Sequence, residues 1–109
     1  MAINVKALSS AMLAAAQLEL ANHWPDIREY AKAELKKTAE TIAMIERLLI
    51  SGDINKRQAR SLLRMQKNAS QAVLLTVAGL GLLTAESAIN AALGVARTTV
   101  NTAVGFTLV

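Results

Sequence analysis

The sequence predicts an all-α protein: an antiparallel hairpin of two long helices that assembles with further copies of itself. Three observations lead there. Apolar residues make up 53% of the 109-residue chain and aromatics only 3%, so alanine, the strongest helix former, carries much of the apolar content. Apolar positions recur at helical spacing over long stretches. Turn material is scarce, with one proline and five glycines, where a β-rich fold would need many turns. The length fits a single domain, residues 1–109, and leaves no room for a separate catalytic domain.

Helix A is expected over about residues 4–49. Leu20, Trp24, Ile27, Ala31, Leu35, Thr38, Ile42, Ile45 and Leu49 advance in steps of three or four and form a coiled-coil-like seam. Charges of both signs lie between them, among them Arg28, Lys32, Glu34, Lys36, Lys37, Glu40, Glu46 and Arg47, as on a solvated face. Pro25 interrupts the pattern, because its ring clashes with the preceding turn and it has no N–H. Asn22 could cap a restarted helix with Pro25, Asp26 and Glu29 in its first turn. The seam stays in phase across the proline, which favours a kink or a near-collinear restart over a sharp corner.

Residues 50–54 form the turn. Gly52 supplies the positive φ that ends a helix. Asn55 reads as the next N-cap with Gln58 as its capping-box partner, and Ile54 is placed to staple onto Ala59. So short a connection implies antiparallel neighbours.

Helix B is expected over about residues 55–105. Its start is basic: Lys56, Arg57, Arg60, Arg64 and Lys67 have no acidic residue among them. From Asn68 to Ala96 the only charge is Glu86, and Val73 to Leu83 is apolar around most of the helix, as in a helix buried on all sides. Gly81, Ala85, Ala88, Ala92 and Ala96 form a narrow small-residue face where another backbone could approach closely. The uncharged tail, Thr98 to Val109, is expected to fray or to dock in a partner's groove.

An isolated hairpin of this kind, with helices roughly 70 Å long, could not hide that surface. Two rods share one stripe, whereas helix B carries more, and wet apolar area costs about 25 cal/mol per Å². A four-helix-bundle dimer or a larger helical oligomer is the simplest remedy, with Val73, Val77, Leu80, Gly81, Ala85, Ala88, Ala92 and Val95 as its interface.

The candidate sites are few. Lys56, Arg60, Arg64 and Lys67 share one basic face, consistent with the net charge of +4. Packing about Gly52 pairs residues equally distant from it, so Arg64 should meet Glu40, and Arg57 and Arg60 should meet Glu46, in ordinary ion pairs. No aromatics interleave for base stacking, so nucleic acid is not an expected partner. Glu19, His23 and Glu86 could gather a metal in a two-fold bundle, but the Glu-x-x-His spacing of such sites is missing. Glu86, alone in an apolar run, should be paired or in contact with water. Cysteine is absent and there is a single histidine, so no catalytic residues and no cofactor are expected.

The reading that follows is a non-enzymatic, self-associating structural or interaction protein. The first apolar stretch, Ala11 to Ala16, lacks the basic lead of a signal peptide, so the expected location is the cytoplasm. A membrane-associated protein of pore or lysis type, inserting residues 68–96, is the alternative, because the charge-free run Asn68 to Ala85 is just long enough to span a bilayer. A metal-binding helical bundle is the second alternative.

Overall fold

In the computed structural model, which describes residues 3–76 and 79–109, the first helix, α1 (Val5–Leu20), begins at Asn4. The Asn4 side-chain oxygen accepts the Ala7 N–H at 3.0 Å, satisfying one of the free donors of the first turn. The buried stripe of α1, Leu8, Met12, Ala16 and Leu20, repeats every four residues. The helix stops at Ala21, whose backbone takes φ +32 and ψ −102, and one 3-10 turn, Ala21–His23, leads into α2 (Trp24–Ser51). Pro25 sits in the first turn of α2, where its missing N–H leaves no acceptor unsatisfied.

Helix A is therefore interrupted near Pro25 into two helices. Their joint is a sharp reversal and not a kink or a collinear restart. Val5, Ser9 and Leu13 of α1 share a hollow with Lys32 and Lys36 of α2, and the Ile3 N–H reaches Glu46 Oε1 at 3.4 Å, so the helices run antiparallel. His23 takes the cap position predicted for Asn22, with no side-chain cap bond.

The 28 residues of α2 span about 42 Å at the standard helical rise. That matches the long dimension of the molecule, 42 Å. Ile27, Ala31, Leu35, Thr38, Ile42 and Ile45 of the predicted seam are buried. The helix ends at Gly52 with φ +80. The Gly52 N–H donates to Leu49 O at 3.2 Å and the Asp53 N–H to Leu48 O at 2.9 Å, which closes the last turn. α3 (Lys56–Thr76) then opens with the predicted capping box: the Asn55 N–H donates to Gln58 Oε1 at 2.9 Å and the Gln58 N–H to Asn55 Oδ1 at 2.8 Å.

A buried polar chain fixes α2 against α3. Thr41 Oγ1 donates to Gln66 Oε1 at 3.0 Å, and Gln66 Nε2 donates to Ser70 Oγ at 3.1 Å. Ser70 Oγ donates to Glu34 Oε1 at 3.4 Å and lies 3.3 Å from Thr38 Oγ1. Ser70, Thr38 and Glu34 are all nearly solvent-free, and no buried side-chain polar atom among the described residues lacks a partner. Satisfied networks of this kind favour one register over its neighbours.

Helix B is also two helices. α3 stops at Thr76 and α4 (Leu82–Val104) starts after Gly81. Gly79 takes φ +70, and the Leu80 N–H bonds back to Leu74 O at 3.2 Å. The break lets α4 fold back and pack chiefly on α1, the two again antiparallel, with Asn4 and Leu8 beside Val95 and Thr99. The energetic reason is one of scale. Interrupting a helix forfeits a few hydrogen bonds worth about 1 kcal/mol each. Burying each large apolar side chain returns about 1.5–3 kcal/mol.

The residues predicted as an oligomer interface are mostly consumed by this fold. Ala85, Ala88 and Ala92 are fully buried, Leu80 is buried, and Val73 is half-buried. Gly81 is exposed, Val95 is half exposed, and Val77 lies outside the described residues. At Leu80, Ala85, Ala88 and Ala92 the apolar surface assigned to a second copy is covered by the chain itself. The proposed membrane segment, 68–96, is divided by the break, and no helix among the described residues is long and apolar enough to cross a membrane.

A pair of leucine substitutions separates packing within the chain from packing between chains. Ala88→Leu overfills a closed contact and should lower stability by about 1–3 kcal/mol in urea melts. A Cβ at Gly81 meets open space, so Gly81→Leu should leave the urea midpoint close to that of the parent. Equal stability of the two variants would contradict the placement of Ala88.

Candidate anion-binding groove

The capping box sets the phase of α3, turning Ala59, Leu63, Ser70 and Leu74 into the core. The same phase leaves Arg60, Arg64 and Lys67 along the seam with α4. From α4, Asn90, Leu93 and Arg97 face them across a groove of about 350 Å³. Leu108 and Val109 of the tail complete its walls. No Asp or Glu side chain lines it. α3 and α4 are also the least closely packed of the neighbouring helix pairs. Cations on both sides of one seam repel each other, and that repulsion works against closing it.

The ion pairs expected for the basic face do not form. The one ion pair among the described residues is Lys37 Nζ to Glu34 Oε2, at 3.1 Å within α2. Glu46 lies on the buried stripe of α2, 1% exposed, and turns to the Ile3 N–H, so it is not offered to Arg57 or Arg60. Glu40 is exposed and makes no bridge to Arg64. The first turn of α3 contains no acidic residue and begins with Lys56 and Arg57, at the helix end where the dipole disfavours cations. Positive charge is thus concentrated where neither ion pairing nor the helix dipole compensates it.

The tail shapes the end of the groove. α4 finishes at Gly105, φ +81, whose N–H bonds to Asn101 O at 2.9 Å. The Leu108 and Val109 N–H groups both donate to Asn101 Oδ1 at 2.9 Å, and Asn101 Nδ2 donates to Val109 O at 3.4 Å. Leu108 is buried. The Phe106 ring lies 5.4 Å from Lys56 Nζ and 5.1 Å from the Arg60 guanidinium carbon, and Arg60 Nε donates to Thr107 O at 3.2 Å. A tail expected to fray or to seek a partner is docked on its own chain. Phe106 in a charge-free tail was a signal for this contact, since an aromatic face attracts the cations of α3.

The remaining site residues do not converge. Glu19 and His23 are exposed near the α1–α2 corner, and Glu86 is half-buried in the second turn of α4 with no ion pair. No group of three or more metal-ligating side chains occurs among the described residues, so Glu19, His23 and Glu86 do not form a metal site within one chain. A second hollow, about 500 Å³ between α1 and α2, is lined by Lys6, Lys32 and Lys36 with Ser9, Ser10 and Leu13. Its cations are all lysines, without the planar fork by which arginine grips an oxyanion.

The uncompensated charge makes a direct prediction. Arg97→Glu puts an anion opposite Arg60, Arg64 and Lys67 and should raise Tm by about 2 °C at low salt, less at high salt. A lowered Tm at low salt would mean that the groove cations do not repel. Comparison of the chain with protein-family models, with characterised proteins and with solved structures finds no match.

Proposed function

We propose that this chain is a non-enzymatic helical interaction protein whose working surface is the α3–α4 groove, where an anionic partner docks. One observation carries the reading: Arg60, Arg64, Lys67 and Arg97 line a single groove with no Asp or Glu side chain among the lining residues. An electrostatic concavity of one sign concentrates oppositely charged partners and speeds their capture. Catalysis has no comparable support. The single histidine, His23, is exposed at a helix corner. Ser70 is taken up in the buried polar chain, and Ser9 Oγ bonds to Lys6 O.

Two charge-matched variants test the location of binding. Arg60→Gln, Arg64→Gln and Arg97→Gln together remove three groove cations. Arg28→Gln, Lys36→Gln and Arg47→Gln remove three cations from elsewhere and leave the same net charge. On a sulfonate resin the groove variant should elute at clearly lower salt than its counterpart. Co-elution of the two would sink the reading.

Self-association is a second reading, favoured by one feature. Leu18 is 82% exposed, Leu83 78% and Leu82 55%, all at the end where α1 finishes and α4 starts. Two copies meeting through these ends would bury them, forming an oligomer without opening the fold. Light scattering should then give a multiple of the chain mass, reduced to a single chain by Leu18→Lys with Leu83→Lys. A parent protein of single-chain mass at high concentration would end this reading.

A further inference from the structure

We propose that the groove takes a compact ligand bearing two or three linked phosphate groups, an inference that rests on the reading of the groove as the working surface. Four cations, three of them arginines, line a space of about 350 Å³. From Arg60 to Lys67 the helix rises only about 10 Å. A ligand that neutralises this group must carry several negative charges within a short length. A terminal phosphate brings about −1.5 to −2 charges at neutral pH with three acceptor oxygens, so a short phosphate chain meets that requirement.

The donor chemistry agrees. The guanidinium fork grips a phosphate through two parallel N–H bonds, which an ammonium cannot do. Arg60 is fixed before a ligand arrives. Its Nε bonds to Thr107 O and its guanidinium rests on Phe106, so little side-chain freedom remains to be lost on binding. Arg97 and Asn90 approach from the opposite helix, and the Asn90 amide can donate to a bridging or terminal oxygen. A nucleic-acid strand suits the groove less well. It needs aromatic faces for its bases, and the Phe106 ring, the one aromatic beside the groove, is covered by Lys56 and Arg60.

Calorimetric titration of the full chain with sodium tripolyphosphate, alongside sulfate at matched ionic strength and a short single-stranded oligonucleotide, decides the matter. The expected result is saturable binding of tripolyphosphate at one per chain, weakened about tenfold or more by Arg64→Gln and by Arg97→Gln. Both positions are exposed, so circular dichroism should be unchanged in the variants. Heat no greater than that of sulfate, or variants that bind as the parent does, would overturn the proposal. So would an oligonucleotide that binds more tightly than tripolyphosphate. If tripolyphosphate fails while the groove variant still elutes early from the sulfonate resin, the phosphate class falls and the anion-binding reading stands. If both fail, the groove reading falls with it.

Discussion

The contact between α1 and α4 is the constraint on which the rest of the structure depends. On the face it buries, α4 is lined by Ala85, Ala88, Ala92 and Ala96. Small side chains of this kind let two helix backbones approach closely, and α1 answers with Leu8, Met12, Ala16 and Leu20. To bring these two faces together the chain must reverse direction three times. Each reversal has a local cost: a strained backbone at Ala21, a capped turn at Gly52, and a broken helix at Gly79. The burial gained by α4 outweighs all three.

That arrangement also decides where charge can go. The α1–α4, α1–α2 and α2–α3 pairs carry most of the helix packing, and the polar chain around Ser70 joins α2 to α3. The α3–α4 seam is lined by four cations from its two helices, three of them arginines. The groove is therefore the remainder of the packing problem, a face left looser because the other helix pairs satisfied the core. In such a place a protein can bear electrostatic repulsion without losing its fold, and an incoming anion relieves that repulsion.

Much of the local structure was legible. The Gly52 stop, the Asn55–Gln58 capping box, the buried seam of α2 and the pairing of α2 with α3 about Gly52 all follow from residue type and spacing. Two features were not. Ala21 has no property that announces a reversal; an alanine with positive φ is dictated by tertiary packing and not by its own preference. The Gly-Leu-Gly of residues 79–81 was open to two physical readings, a close-approach face or a helix stop, and only the location of α1 decides between them. Both omissions bear on one question, whether two long rods or several shorter ones hide the apolar half. The basic residues of the site were legible, but Arg97 was not, because it joins the others only once α4 folds back. The ion pairs assigned to them failed for the same reason: Glu46 belongs to the buried stripe that α1 and its leading segment cover.

The attachment of the tail has a consequence for how the groove could change over time. Asn101 holds the chain by the main-chain amides of Leu108 and Val109, not by their side chains. Leu108 is also held by its buried side chain, so position 109 is the one that can exchange one residue for another while the segment stays in place, provided that it does not become a proline. The lip of the groove can drift in shape and polarity at that position while the arginines behind it keep their posts, without putting the fold at risk.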